Sequence, residues 1–293
     1  MSRAVDIVMQ GTIKGTVSFK GRGLHTGKRS HITVYAADEN TGILFKRIDK
    51  AGKNTEILAH WKNTKKLPLC TCIASPENGV HVRTIEHLMA AFYACGIDNA
   101  LVEVDGSELP IMDGSSEPFI KEISKTGIVE QESPRKIFRL KQKFEVSEAG
   151  KSIIIEPAES LTVDVTISLQ KIGRLNWSGE VTPELFSKQI APARTFGRLK
   201  NGLLAQLTRF SKDPICLGAN TRSALVVVRG DKVLNKGGLR MPNEYVRHRV
   251  LDLMGDLMLS GGHVHGKITA ISPAHRLTHQ LLQQILNNDL SES

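Results

Sequence analysis

Glu244-Tyr245-Val246-Arg247-His248-Arg249-Val250-Leu251-Asp252-Leu253-Met254-Gly255-Asp256 is the stretch on which the reading of this chain turns. His248, Asp252 and Asp256 recur every fourth residue, so on a helix they share one face. That face runs beside Val250, Leu251, Leu253, Met254, Leu257 and Met258, an otherwise apolar series. Acids buried in such a helix cost several kcal/mol unless something pairs with them. A divalent metal held by His248 and Asp252 is the natural partner. Asp256 then suits the orienting of a histidine.

Working outward, the helix spans about residues 243–260 and stops at Gly261-Gly262. Strands are expected at Phe144–Val146, Ser152–Ile155, Leu161–Ile167, Ser223–Val228 and Ile268–Ile271, and a last helix over roughly 275–287. The first half has the same grammar. Residues 12–35 read as strand, turn, strand, Leu69–Ala74 as a buried strand, Pro76–Gly79 as a turn and Val80–Val82 as a short strand. Thr84 is read as the cap of a helix carrying Glu86, His87, Leu88, Met89, Ala90, Ala91 and Phe92, which ends at Gly96. Asn99–Val104 is a strand, and Pro118–Lys125 a second helix ending near Gly127. Val129–Lys136, polar and carrying Pro134, is the candidate linker. It divides the chain into an N-terminal domain, 1–131, and a C-terminal domain, 132–293. Strands followed by a histidine-bearing helix in both halves predict an α+β fold rather than a parallel βαβ sheet, and suggest a duplicated domain.

Bulk properties narrow the function. The 293 residues are 40% hydrophobic and 24% charged, as in ordinary globular proteins, and no apolar run reaches membrane-span length. Met1–Asp6 shows no signal-peptide core, and Cys70, Cys72, Cys95 and Cys216 form no CxxC pair, which together predict a cytoplasmic protein. A net charge of +9 is a soluble basic surface or a preference for an acidic partner. With aromatics at 5%, a base-stacking surface is poorly supplied and no nucleic-acid partner is expected.

In Thr84-Ile85-Glu86-His87, adjacent helix residues point about 100° apart. If His87 ligates a metal, Glu86 can reach the metal's water without ligating, the division between ligand and general base in metal-assisted hydrolysis. Taken alone the adjacency is a weak signal, and Glu86 is more simply a first-turn acid near the positive helix end, with His87 a partly buried histidine. The two helices together offer His87, His248, Asp252 and a spare glutamate. Two histidines and a carboxylate suit catalytic zinc, and equally a mononuclear iron(II) oxygenase; the spare Glu86 favours hydrolysis. Gly21–Gly27 matches neither named phosphate-loop motif and reads as a glycine-rich hairpin. Cys70 and Cys72 read as buried small side chains. His263 and His265 are not expected to ligate, and His31, His60, His81 and His279 receive no role.

In order, Gly-Leu-His-Thr-Gly (23–27), Leu-Cys-Thr-Cys (69–72), Thr-Ile-Glu-His-Leu (84–88), Gly-Ile-Asp-Asn (96–99), Leu-Pro-Ile-Met-Asp-Gly-Ser (109–115), Ala-Arg-Thr-Phe-Gly (193–197), Val-Leu-Asn (233–235), Val-Arg-His-Arg-Val-Leu-Asp (246–252) and Gly-Asp-Leu (255–257) resemble the UDP-3-O-acyl-N-acetylglucosamine deacetylases, the zinc amidases of early lipid A synthesis. The resemblance spans nearly the whole chain. It implies two similar domains, each a sheet packed on a helix pair, with the helix layers meeting at the interface as a β-α-α-β sandwich. It implies one zinc (Zn2+) on His87, His248 and Asp252. Glu86 would be the base, Thr195 an oxyanion donor, His275 the second catalytic histidine and Asp256 its orienting acid. Cys70, Phe196, Arg249 and His25 would contact substrate. The partner implied is a UDP-linked acylated amino sugar, met by a monomer with transient contact at the inner membrane surface.

The chain departs from the family at several places. Arg249 stands where lysine is usual, and the two cations are not equivalent. Ile271-Ser272-Pro273-Ala274 lacks a lysine common before the second histidine, and Ala191-Pro192 replaces Ser-Arg. The segment 198–222 is longer and more basic than the family's apolar passage. These leave open a divergent relative acting on another N-acetyl sugar. A non-catalytic basic binding protein is the more distant alternative.

Overall fold

Two helices from opposite halves of the chain cross at its centre, and a sheet closes each side. The computed structural model describes residues 7–52, 55–288 and 291–292. The leader reading of Met1–Asp6 lies outside the described residues. The helices are α1 (Glu86–Cys95), α2 (Glu117–Thr126), α3 (Pro183–Leu185, running into a wider turn over Phe186–Ile190), α4 (Leu199–Ala205, continued as a 3₁₀ turn over Gln206–Phe210), α5 (Glu244–Leu257) and α6 (His275–Asn288).

In the first half, Val17–Arg22, Arg29–Ala36, Ala100–Asp105, Ile43–Arg47 and Glu56–Leu58 lie side by side in that order, with one parallel pairing, between 100–105 and 43–47. In the second half, His263–Ile271 is central. Lys151–Glu156 pairs antiparallel on one edge, and Leu161–Leu169 and Ile137–Arg139 pair parallel on the other. α1 and α2 pack together, as do α5 and α6, and α1 lies on α5. The layers are therefore sheet, helices, helices, sheet. None of the described helices is long and apolar enough to cross a membrane.

Local chemistry explains the central pair. From Glu86 to Tyr93 every residue of α1 is buried, as a helix enclosed on all sides requires. It ends at Gly96, whose left-handed φ of 68° lets its N–H reach the carbonyls of Phe92 and Tyr93. On α5, Gly255 lies against the backbone of Glu86. A Cβ there would sit 2.0 Å from the Glu86 carbonyl oxygen, so only glycine permits this approach. That contact sets the first turn of α1 beside the acids of α5.

Three local expectations are corrected. Thr84 does not cap α1: Ile85 holds the cap position without a side-chain bond, and the Thr84 hydroxyl donates to buried Glu108 at 2.9 Å. Val129–Lys136 is not an open linker, since Ile128–Pro134 is a strand paired antiparallel with Met9–Ile13. Its polar alternation is that of a solvated strand, and the partner lies more than a hundred residues away, beyond any local pattern. The strand expected at Leu69–Ala74 begins only at Cys72, because Leu69 is exposed with φ 61° and Cys70-Thr71 turn toward the centre. A small sheet of Phe196–Arg198, Leu225–Arg229 and Lys232–Val233 also stands outside the two main ones.

Candidate metal and catalytic centre

α1 delivers Glu86 and His87 from its first turn, α5 delivers His248, Asp252 and Asp256 from one face, and α6 begins with His275. All but His275 are almost fully buried. Asp252 Oδ1 lies 3.3 Å from His248 Nε2 and 3.9 Å from His87 Nε2, and the three donor atoms lie within 4.8 Å of one another. A separation of 3.3 Å suits two ligands of one ion with bonds of about 2 Å. The His248 Nδ1 lies 3.0 Å from the Ala193 carbonyl; donating there leaves Nε2 as the lone-pair donor. That carbonyl is held by a buried ion pair: Glu244 accepts from the backbone N and the Nε of neighbouring Arg194 at 3.1 and 2.7 Å. Asp252 Oδ2 accepts from Arg249 at 2.8 Å. Burial, with His248 beside it, pushes the His87 pKa down to about 3, and burial lowers that of His248 against the opposing pull of Asp252. Two neutral imidazoles and an ionised carboxylate are the donor states a divalent metal takes.

A second cluster adjoins the first. Burial pushes Glu86 up to about 8, with Asp252 and Asp256 adding to the effect and His275 opposing it. Its Oε2 accepts from the Thr71 N–H at 3.0 Å, and its Oε1 lies 3.9 Å from His275 Nε2. Asp256 Oδ2 lies 2.8 Å from His275 Nδ1, and Asp256 Oδ1 accepts from the Thr71 hydroxyl. Burial works against a charged His275, but the Asp256 carboxylate, helped by Glu86 and Asp252, raises it to about 10. His279, given no role from sequence, also faces Asp256 Oδ1, at 3.6 Å.

Both clusters open into a cavity of about 640 Å³ lined by Glu86, His87, Asp252, Thr195, Phe196 and His275, among others. Thr195 is placed by backbone bonds to Gly114 and Leu225, each 2.7 Å. The Arg249 guanidinium stacks on Phe196, 5.0 Å from the ring centre. His25 also lines the cavity; burial lowers its pKa to about 4, and its Nε2 has no hydrogen-bond partner among the described residues. Cys70 borders the adjoining cavity of Trp61, Lys65 and His279 instead, its thiol pushed well above the ordinary range by burial.

Sequence reasoning missed Thr71, Glu108 and the Arg194–Glu244 pair. Thr71 lay within a quoted motif, but only the fold shows its hydroxyl reaching Asp256. Glu108 carried no local signal. It fixes the 23–27 loop by accepting from the N–H groups of His25 and Thr26 and the Thr84 hydroxyl.

The chain is similar to proteins of known kind. The family described as LpxC, UDP-3-O-acyl N-acetylglycosamine deacetylase, matches residues 10–287. A relative named UDP-3-O-acyl-N-acetylglucosamine deacetylase in Pseudoalteromonas translucida (strain TAC 125) is 36% identical, over 96% of this chain and 91% of its own. One of the same name in Hamiltonella defensa subsp. Acyrthosiphon pisum is 35% identical over the same shares. With matches of this extent over the fold and centre described, the chain belongs to the UDP-3-O-acyl N-acetylglycosamine deacetylase family.

Proposed function

We propose that this chain hydrolyses the acetamide of a UDP-3-O-acyl-N-acetylglucosamine to the free amine and acetate, with one zinc ion on His87, His248 and Asp252. The observation that carries the reading is a three-donor cluster with Glu86 beside it and not in it. When bound, zinc acidifies water and polarises the amide carbonyl. Everything else falls to the chain's own residues. Glu86 takes a proton from the attacking water; its raised pKa makes it a strong enough base for that. The Thr195 hydroxyl faces the developing oxyanion, where one donor is worth about 3–4 kcal/mol. His275, held protonated by Asp256, hands a proton to the departing amine. Phe196 and Arg249 orient the substrate, the guanidinium supplying charge toward a diphosphate. His25, a neutral histidine with an unoccupied Nε2, bonds a polar group of the sugar.

We further divide the chain into two domains near the 131/132 boundary read from sequence, moved past the strand Ile128–Pro134 because that strand pairs with Met9–Ile13; the first supplies α1 to the centre and the second α5 and α6. Four free cysteines suit a reducing compartment, and the cytoplasm is the proposed location. The working unit is a monomer, since the described residues of one chain bring all three metal donors together. A second reading, an N-acetyl sugar of another kind, is favoured by the loss of a cation at Pro273-Ala274 and the unusual 198–222 segment.

The test is acetate release from the UDP-linked acyl sugar by enzyme loaded with one equivalent of zinc. Turnover that Glu86→Gln abolishes, with the zinc retained, is expected. A zinc-loaded enzyme inert on this substrate but active on another N-acetyl sugar would favour the second reading. Inertness on every N-acetyl sugar would end both.

A further inference from the structure

The segment after Gly197 turns its apolar side chains outward. Leu203, Leu204, Leu207 and Phe210 are exposed, Leu207 by 81% and Phe210 by 96%. Residues 203, 207 and 210 follow the i, i+4, i+7 spacing of one helix face. The segment is nonetheless built and not frayed. Ala205 is buried beneath it, and α4 packs on the strands Phe196–Arg198 and Leu225–Arg229. The Thr208 hydroxyl donates to the Ala205 carbonyl at 2.7 Å and accepts from the Ile215 N–H at 2.9 Å.

Its charge is one-sided. Between Arg198 and Lys212 there are four cations, Arg198, Lys200, Arg209 and Lys212, and no acid. Lys200, Arg209 and Lys212 are exposed, and none of the three has an ion-pair partner among the described residues. An apolar stripe ringed by cations is the composition of an element lying in a lipid interface. A second copy of this chain would need an acidic patch for that ring. None of these four side chains lines the cavity at the centre; they project from the surface on its outer side.

We propose that α4 and the 3₁₀ turn after it dock on the anionic phospholipid surface of a bilayer, the leucines and Phe210 entering among the acyl chains and the cations meeting the headgroups. The proposal extends the deacetylase reading, because the cavity opens next to this element. Phe196 and Gly197 immediately before it, and Cys216 and Ala219 after it, line the cavity wall. An acylated substrate would then reach the centre from the lipid surface.

Flotation of the full chain tests this, with vesicles of phosphatidylcholine alone or with about one-third phosphatidylglycerol added, and no substrate present. Binding to the anionic vesicles that weakens with salt is expected. L207E/F210E should weaken it at least about tenfold. Lys200→Gln with Arg209→Gln and Lys212→Gln should weaken it about 10²-fold, at about fivefold per cation. Both variants should keep the parental far-ultraviolet circular dichroism and thermal midpoint, since the substituted side chains are exposed. Phe210→Ser alone, at a side chain with almost no contacts to lose, should show a smaller loss and covers the case where the double variant misfolds. Equal binding to neutral vesicles, or none to anionic ones, overturns the proposal. So does a concentration-dependent dimer, seen by sedimentation velocity, that L207E/F210E abolishes. A raised KM of L207E/F210E for dissolved long-acyl substrate would also overturn it, since the patch would then belong to the substrate site. An inactive parent that still floats with anionic vesicles would count against the deacetylase reading and leave this surface standing.

Discussion

Two neighbouring clusters in this molecule use the same residue types to opposite ends. His87 and His248 face one aspartate through Nε2, and burial keeps both imidazoles neutral. A few ångströms away, His275 bonds a second aspartate through Nδ1, and that carboxylate keeps its imidazole charged up to about pH 10. Two neutral rings competing for a single carboxylate are a place for a cation. A ring bonded to its carboxylate at 2.8 Å, with Glu86 and Asp252 adding negative charge, is a place for a proton. What separates metal holding from proton holding is therefore how much nearby negative charge offsets the burial of each ring.

The largest effect should come from breaking the first cluster alone. His248→Ala should lose the metal and drop turnover to the assay floor together, as read by metal analysis beside acetate release. Glu86→Gln draws the boundary between the clusters. It should cost about 10²–10⁴-fold in kcat while metal stoichiometry stays at one per chain. If Glu86→Gln instead loses the metal, the glutamate is a ligand and the division between clusters fails. Thr195→Val should cost about 10²–10³-fold in kcat with KM little changed, the signature of an oxyanion donor.

His275→Gln should keep the metal and lose about 10²-fold in kcat, and its pH profile carries the sharper test. An acid that must carry its proton is active below its pKa, so activity should fall as pH rises through about 10, and the variant should lack that limb. On the other side the base must be without its proton. Burial, with Asp252 and Asp256 adding to it, holds Glu86 protonated up to about 8 against the pull of His275, and a bound cation draws that value down. The acid limb should therefore lie below pH 8, with kcat/KM rising through it. The smallest effect belongs to Thr71→Val, which removes one hydroxyl from Asp256 but leaves the His275 bond in place. The alkaline limb should move by less than about one pH unit and the rate fall a fewfold.

How much of this was legible follows from range. The i, i+4, i+8 spacing of His248, Asp252 and Asp256 fixes their common face wherever the helix lies, so the candidate ligand pair was readable from one short stretch. Glu86 and His87 were readable as neighbours with different directions. Thr84 was misread because capping chemistry is local, while the Glu108 that takes its hydroxyl is 24 residues on. Val129–Pro134 was misread because its partner strand, Met9–Ile13, is supplied by the far end of the half.

The sequence by itself determined helices α1, α2, α5 and α6, the face of α5, and on each central helix the candidate metal donors, with a glutamate beside one of them, because each depends on residues within a few turns of one another. Only the tertiary structure decided that residue 87 meets residues 248 and 252. It did so through Gly255, where the missing side chain lets two backbones 169 residues apart come into contact. It decided too which histidine is charged, since protonation depends on burial and on the carboxylate that packing brings within 2.8 Å.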